Sequence, residues 1–227
     1  VSCTTDVTEA LGVQVGDEGG QTTLLLSLEE SRTQLGEKSD DIYPLYWSEG
    51  DAIAVNGVKS VPVSAEDAGK ATTLFTFSGV LERPYNIVYP YPGEDVAINA
   101  ESGAYPVVFA TEQMHTEGSF APNSAPMYAW SNGFDDVHME HLATALRFSI
   151  KAKAGESVNL KYVSVSTVEA EPIAGVFDVT CAENGTVEPG TLVAREGATS
   201  TIFYNFEEGA YEVGETESVF YIAVPKG

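Results

Sequence analysis

Basic residues are scarce in this chain: 11 Lys and Arg stand against 34 Asp and Glu, a formal charge of −23 over 227 residues. A surface of that sign repels phosphate backbones and anionic headgroups, which excludes nucleic acid and electrostatically held membranes as partners. Cysteine is scarce too. Cys3 and Cys181 stand far apart with no CxxC spacing, so a structural zinc site or a thioredoxin-like motif is excluded. No stretch approaches the roughly eighteen uninterrupted apolar residues of a bilayer-spanning helix. Catalytic signatures are missing as well: there is no GxSxG elbow, phosphate loop, HExxH or EF-hand spacing,.

What is present is a chain that folds. Hydrophobic residues make up 43%, with 11 Tyr and 10 Phe, and the 21 Gly and 11 Pro are spread rather than clustered,. The length holds one large β domain, or one domain plus part of another. Over 22–29, Leu24, Leu26 and Leu28 alternate on one face, although Leu25 blurs the pattern,. Asn56-Gly57 between apolar alternations is a strong hairpin signal, with Val58 opening the return strand,. Further strands are predicted over 74–78, 127–130, 158–167, 175–180, 199–204 and 218–224. Residues 105–109 read as an edge strand because of Pro106,. The clearest strand runs over 142–152, with Leu142, Thr144, Leu146, Phe148 and Ile150 on one face. Only 65–70 and 140–145 have helical character, and both are short. Many short strands with closely spaced turns predict an all-β, antiparallel β-sandwich.

Side chains that could carry chemistry are few. His138 and His141 mimic a ligand pair, but positions i and i+3 of a strand face opposite ways. Carboxylate neighbours occur at Glu49/Asp51, Asp135/Asp136 and Glu207/Glu208, as 34 acids would place them by chance, whereas a glycosidase needs two facing across a cleft. Tyr43, Tyr46, Trp47, Tyr89, Tyr91, Tyr128 and Trp130 read first as core and only second as a sugar-stacking platform. The reading is therefore of a protein that is not an enzyme and needs no cofactor.

Val1-Ser2-Cys3 followed by Thr4, Thr5 and Asp6 reads as the end of a bacterial lipoprotein signal, with Cys3 lipidated,. The alternatives are an inert thiol or a disulfide to Cys181. Residues 1–21, acidic and glycine-rich from Asp6 onward, read as a tether.

Four strings then carry a resemblance. Residues 44–55, PLYWSEGDAIAV, look like the W-x-x-G-D-x-I-x-V signature of the fimbrillin family of Bacteroidales. Residues 87–91, IVYPY, are similar to its aromatic-YP segment, residues 141–151, HLATALRFSIK, resemble its H-L-x-A-x-L-R-F strand, and residues 220–225, FYIAVP, resemble a later F-Y-I-x-V-P strand. The resemblance implies a type V pilus subunit: a lipoprotein precursor with two transthyretin-like sandwich domains, exported to the outer membrane and cell surface. It implies that a trypsin-like protease cuts behind the first strand, and that a strand of the next fimbrial subunit fills the freed groove.

The residues suit such a mechanism. Arg32 is the first basic residue, and it sits in the polar run Ser31-Arg32-Thr33-Gln34 just past the Leu24, Leu26 and Leu28 strand,. Cleavage between Arg32 and Thr33 would separate the tether and the first strand (22–31) from the body; the plainer alternative is an exposed loop Arg. Phe220, Ile222 and Val224 share one face near the end of the chain and form the candidate donor strand, which could equally be internal. The expected domains are 22–169 and 170–227, the second too short for a full sandwich and read as incomplete. A surface glycan-binding lipoprotein using Tyr89, Tyr91 and Trp130 is the alternative, with a host or bacterial surface glycan or protein as ligand; a glycoside hydrolase is a distant third.

Overall fold

A computed structural model describes residues 16–18, 20–28, 46–133, 137–180, 191–206 and 211–226. Among them there is no helix. In chain order the strands are β1 (Gly16–Glu18), β2 (Gln21–Ser27), β3 (Ala54–Val55), β4 (Val58–Lys59), β5 (Thr72–Ser78), β6 (Tyr85–Tyr89), β7 (Tyr105–Phe109), β8 (Glu112–Met114), β9 (Met127–Ser131) and β10 (Val137–His138). They continue as β11 (Glu140–His141), β12 (Ala143–Ile150), β13 (Val158–Leu160), β14 (Tyr162–Ser166), β15 (Gly175–Val179), β16 (Leu192–Ala194), β17 (Thr201–Asn205), β18 (Tyr211–Val213) and β19 (Ser218–Pro225). The chain is all-β, with multiple antiparallel sheets as in a β-sandwich. Residues 65–69 form turns and residues 140–145 lie mostly in strands, so neither segment with helical character is a helix: each is too short to repay helix nucleation.

The layers follow from side-chain alternation. Strands β1, β2, β10 and β5 form one sheet, and β11-β9-β6-β3-β4 form a second. Leu24, Leu26 and Leu28 pack from the first against Ile53, Val55, Tyr85, Ile87 and Tyr89 around the second, with Trp47 and Phe75 in the same core. Strand β6 is buried on both faces. Its alternate residue Val88, with Ala54 and Tyr128, faces a further core shared with Val107, Phe109, Phe177 and Val179 of the β16-β15-β7 sheet. In that sheet β7 is an outer strand, where Pro106 costs no ladder bond,. At the β3–β4 hairpin, Asn56 and Gly57 have φ of 49° and 84°. Those are the left-handed values that a two-residue type I′ turn demands of both positions.

A third core joins Leu146, Phe148 and Ile150 of β12 with Val163, Val165, Ile202, Tyr204, Phe220, Ile222 and Val224. Its strands come from both sides of position 170, and the ladders do as well: β14 pairs with β17, β7 with β15, and β8 runs parallel to β17. The expected division into 22–169 and 170–227 therefore runs across hydrogen-bonded pairs, and the cores interleave along the chain: Phe177 and Val179 join the second core, and Tyr221 and Ala223 the first. The reason is that long-range pairing, invisible to local patterning, returns β15 to β7 and β17 to β8.

Candidate functional site

The strongest candidate is the slot filled by β2. One edge of β2 is paired with β5 throughout, from Thr22 opposite Phe77 to Ser27 opposite Thr72. Its other edge is shared: β1 occupies the start, and β10 runs parallel at the end with Val137 opposite Leu26. The strand is fastened at both ends. The Thr22 hydroxyl accepts from Leu81 N–H at 2.9 Å, and Leu28 N–H donates to the Ala71 carbonyl at 2.9 Å.

Residues Thr22 to Leu26 are buried without interruption. Leu24, Leu26 and Leu28 enter the first core, as the alternation predicts. Leu25 is equally buried, which explains why the period was blurred: a strand covered on both faces reads as an apolar run. Burying three leucines is worth about 5–9 kcal/mol at roughly 1.5–3 kcal/mol each, comparable with the about 5–15 kcal/mol that stabilises a whole domain. The slot, once emptied, would expose apolar walls and an unpaired edge of β5.

Cys3, Arg32 and Thr33 lie outside the described residues, as do Cys181 and the pairs Asp135/Asp136 and Glu207/Glu208. The candidate donor residues Phe220, Ile222 and Val224 are buried in this chain's own third core. Their strand pairs with β12 over eight positions, from Ala143 opposite Pro225 to Ile150 opposite Ser218. Tyr221 and Ala223, on the opposite face, belong to the first core. Within this chain the strand is thus internal, the alternative that the sequence leaves open, and it walls two cores because both of its faces are apolar.

One residue absent from the sequence reading fastens that wall. The Gln113 side chain, 1% exposed, donates Nε2–H to the Ala223 carbonyl at 2.8 Å and accepts from Ala223 N–H at 3.0 Å. The amide thus bonds Ala223 as a neighbouring strand would. Nothing in the string Glu112-Gln113-Met114 signals this, since the partner is 110 positions away.

The other clusters are closed rather than poised. Asp51 is buried; its Oδ2 accepts from Ser48 N–H at 2.7 Å and its Oδ1 from the Tyr89 hydroxyl at 3.0 Å. Burial pushes the Asp51 carboxyl above its usual range, opposed by those two donors,. Burial, with the neighbouring Asp51 charge, lifts the Tyr89 hydroxyl well above its own. Glu49 is exposed while Asp51 is buried, so they do not face across a cleft. His115 sits among Tyr204, Phe206, Tyr211 and Phe220 with its Nδ1 3.0 Å from the Tyr204 hydroxyl. Among the described residues no three His, Cys, Asp or Glu side chains are grouped to hold a metal.

Of the aromatics, Trp47, Tyr89 and Tyr128 are buried, while Tyr91 and Trp130 are half-buried against the second core. Tyr91 lines a cleft of about 460 Å³ with Asn56, Tyr105 and Ile98, and Lys59 Nζ lies 4.9 Å above its ring. No protein-family model, curated protein or solved structure matches the chain.

Proposed function

We propose that the chain is a structural or tip subunit of a cell-surface fimbria, a fimbrillin-like lipoprotein with transthyretin-like domains and its lipid on Cys3. Assembly proceeds by proteolysis after Arg32, departure of β1 and β2, and entry of a strand from another subunit into the vacated slot. The observation that carries this reading is the position of β2: each described pairing of its sheet runs through it, and the first arginine of the chain follows four residues after Leu28. Strand replacement supplies main-chain hydrogen bonds for affinity and alternate side chains for register.

The placement of the other arginines supports selective cleavage. Arg83 precedes Pro84, whose ring occupies the position a protease must grip. Arg147 lies mid-strand in β12, opposite Tyr221. Arg195 donates its main-chain N–H to the Val176 carbonyl, and its guanidinium bonds Asp178 Oδ1 at 2.6 Å and the Ala97 carbonyl at 2.9 Å. An Arg-specific protease acting on the folded chain therefore meets protected bonds at all three.

The test is limited digestion with such a protease, followed by intact mass and size-exclusion chromatography. A single cut at Arg32 with growth of higher-order species, both abolished in Arg32→Ala, is the expected outcome. Resistance at Arg32, or a trimmed body that remains a stable monomer, sinks the reading. Glycan arrays would then examine the alternative, for which the half-exposed Tyr91 cleft is the relevant surface.

A further inference from the structure

Strand β14 is the outer strand of the β14-β17-β8 sheet, and no described residue pairs with its second edge. Phe206 N–H donates to the Lys161 carbonyl and Thr167 N–H to the Ser200 carbonyl. By the alternation of an antiparallel ladder, positions 161, 163, 165 and 167 bond to the β17 side, so the main-chain groups of Tyr162, Ser164 and Ser166 point to the free edge. That edge has none of the usual guards: Tyr-Val-Ser-Val-Ser holds no charge, proline or glycine,.

Three further observations describe what would cover it. Between Glu156 and Glu169 there is no acid at all and one cation, Lys161, in a chain with 34 acids. This is a stretch where two strongly anionic chains can meet. Val163 and Val165, on the inner face, are only half-buried at the rim of the third core. On the outer face of the same sheet Tyr162, Phe203 and Met114 are 58%, 42% and 44% exposed. The Tyr162 and Phe203 rings meet edge to face at 67°, which gives no flat platform for a sugar and favours a protein surface.

We propose that β14 is a self-association edge, where two copies pair their β14 strands antiparallel about a two-fold axis through Ser164. That register sets Ser164 against itself and Tyr162 against Ser166 of the other copy, so every outward-pointing group finds a partner. Two bonds for each of three pairs give about six main-chain hydrogen bonds. Val163 falls opposite Val165 of the second copy, which closes the rim of each core. Lys161 is brought toward Glu169 of the second copy at both ends of the ladder. The result is a weak, reversible dimer with one six-stranded sheet. It is independent of the strand-exchange reading, since β2 stays in place.

Sedimentation equilibrium of the uncleaved full chain carrying Arg32→Ala tests it without any strand exchange. The expected result is a concentration-dependent dimer that strengthens as salt screens the repulsion between two copies of charge −23,. Ser164→Lys places two ammonium groups face to face at the axis and weakens dimerisation about tenfold or more, with unchanged circular dichroism. Ser164→Pro removes an N–H that β17 does not use, and it has the same effect on the dimer. A monomer at every concentration and salt overturns the proposal, as does a dimer indifferent to both substitutions. A dimer that weakens with salt also overturns it and points to a contact between opposite charges elsewhere.

Discussion

Strands β2 and β19 are alike in composition and burial and unlike in what they hold. Both are buried on two faces, and the sequence pattern marks the first as the strand removed by proteolysis and the second as the candidate donor. Yet β2 binds β1, β5 and β10 within one sheet, whereas β19 divides its side chains between the first core (Tyr221, Ala223) and the third (Phe220, Ile222, Val224). Burial alone does not separate the strand proposed to leave from the one that walls two cores; the number of cores each enters differs.

The comparison breaks most readily on core truncation. Leu26→Ala and Ile222→Ala should each cost about 2–5 kcal/mol in urea unfolding, but their hydrogen-exchange patterns should differ. Leu26→Ala should lower protection in β5 and β10 and spare β17, while Ile222→Ala should lower it in β5 and β17 together. If Leu26→Ala loosens β17 as much as β5, the cores unfold as one unit and the contrast is lost.

A smaller effect sharpens it. Gln113→Ala leaves the buried N–H and C=O of Ala223 without their partners, and a loss of about 2–4 kcal/mol follows. Thermal denaturation showing a loss below about 0.5 kcal/mol, the range of an ordinary surface change, would mean that the amide merely fills space.

The smallest effect concerns pH at the first core. Because burial raises the folded carboxyl of Asp51 above its unfolded value, the folded state holds the proton more tightly. The contribution is fully present below the unfolded value, near about 3.9, and is lost as pH rises through the folded one. Asp51→Asn removes that dependence and keeps an amide that can bond Ser48 and Tyr89. Unfolding free energies across the acid range should therefore show the wild type losing stability relative to the variant as pH rises; parallel curves would exclude the effect.

Much of the local architecture is legible in the sequence. The Asn56-Gly57 turn, the alternation of β12 and the edge position of β7 follow from backbone sterics and period two, which act over a few residues. The leucines of β2 are legible for the same reason, although Leu25 hides that both faces are covered. Pairings such as β10 with β2 and β8 with β17 are not legible, because a parallel ladder of two or three residues leaves no periodic trace. Gln113 escapes likewise, since its role is set by Ala223, 110 positions on. Of the candidate site, the slot-filling residues are readable, while alternation leaves Phe220, Ile222 and Val224 open between donor and internal strand, because it shows an apolar face and not what covers it.

The register of β12 against β19 also determines how the molecule bears load. Tension applied along the axis of β19 at its Pro225 end stretches the eight-pair ladder in shear, so that its hydrogen bonds share the force and must fail together. The same force applied across the strand would peel the pairs one at a time, beginning with Ala143 and Pro225. The Ala223 main chain, gripped from the far side by Gln113, lies close to where that peeling would begin and acts as a rivet at the weak end of the seam.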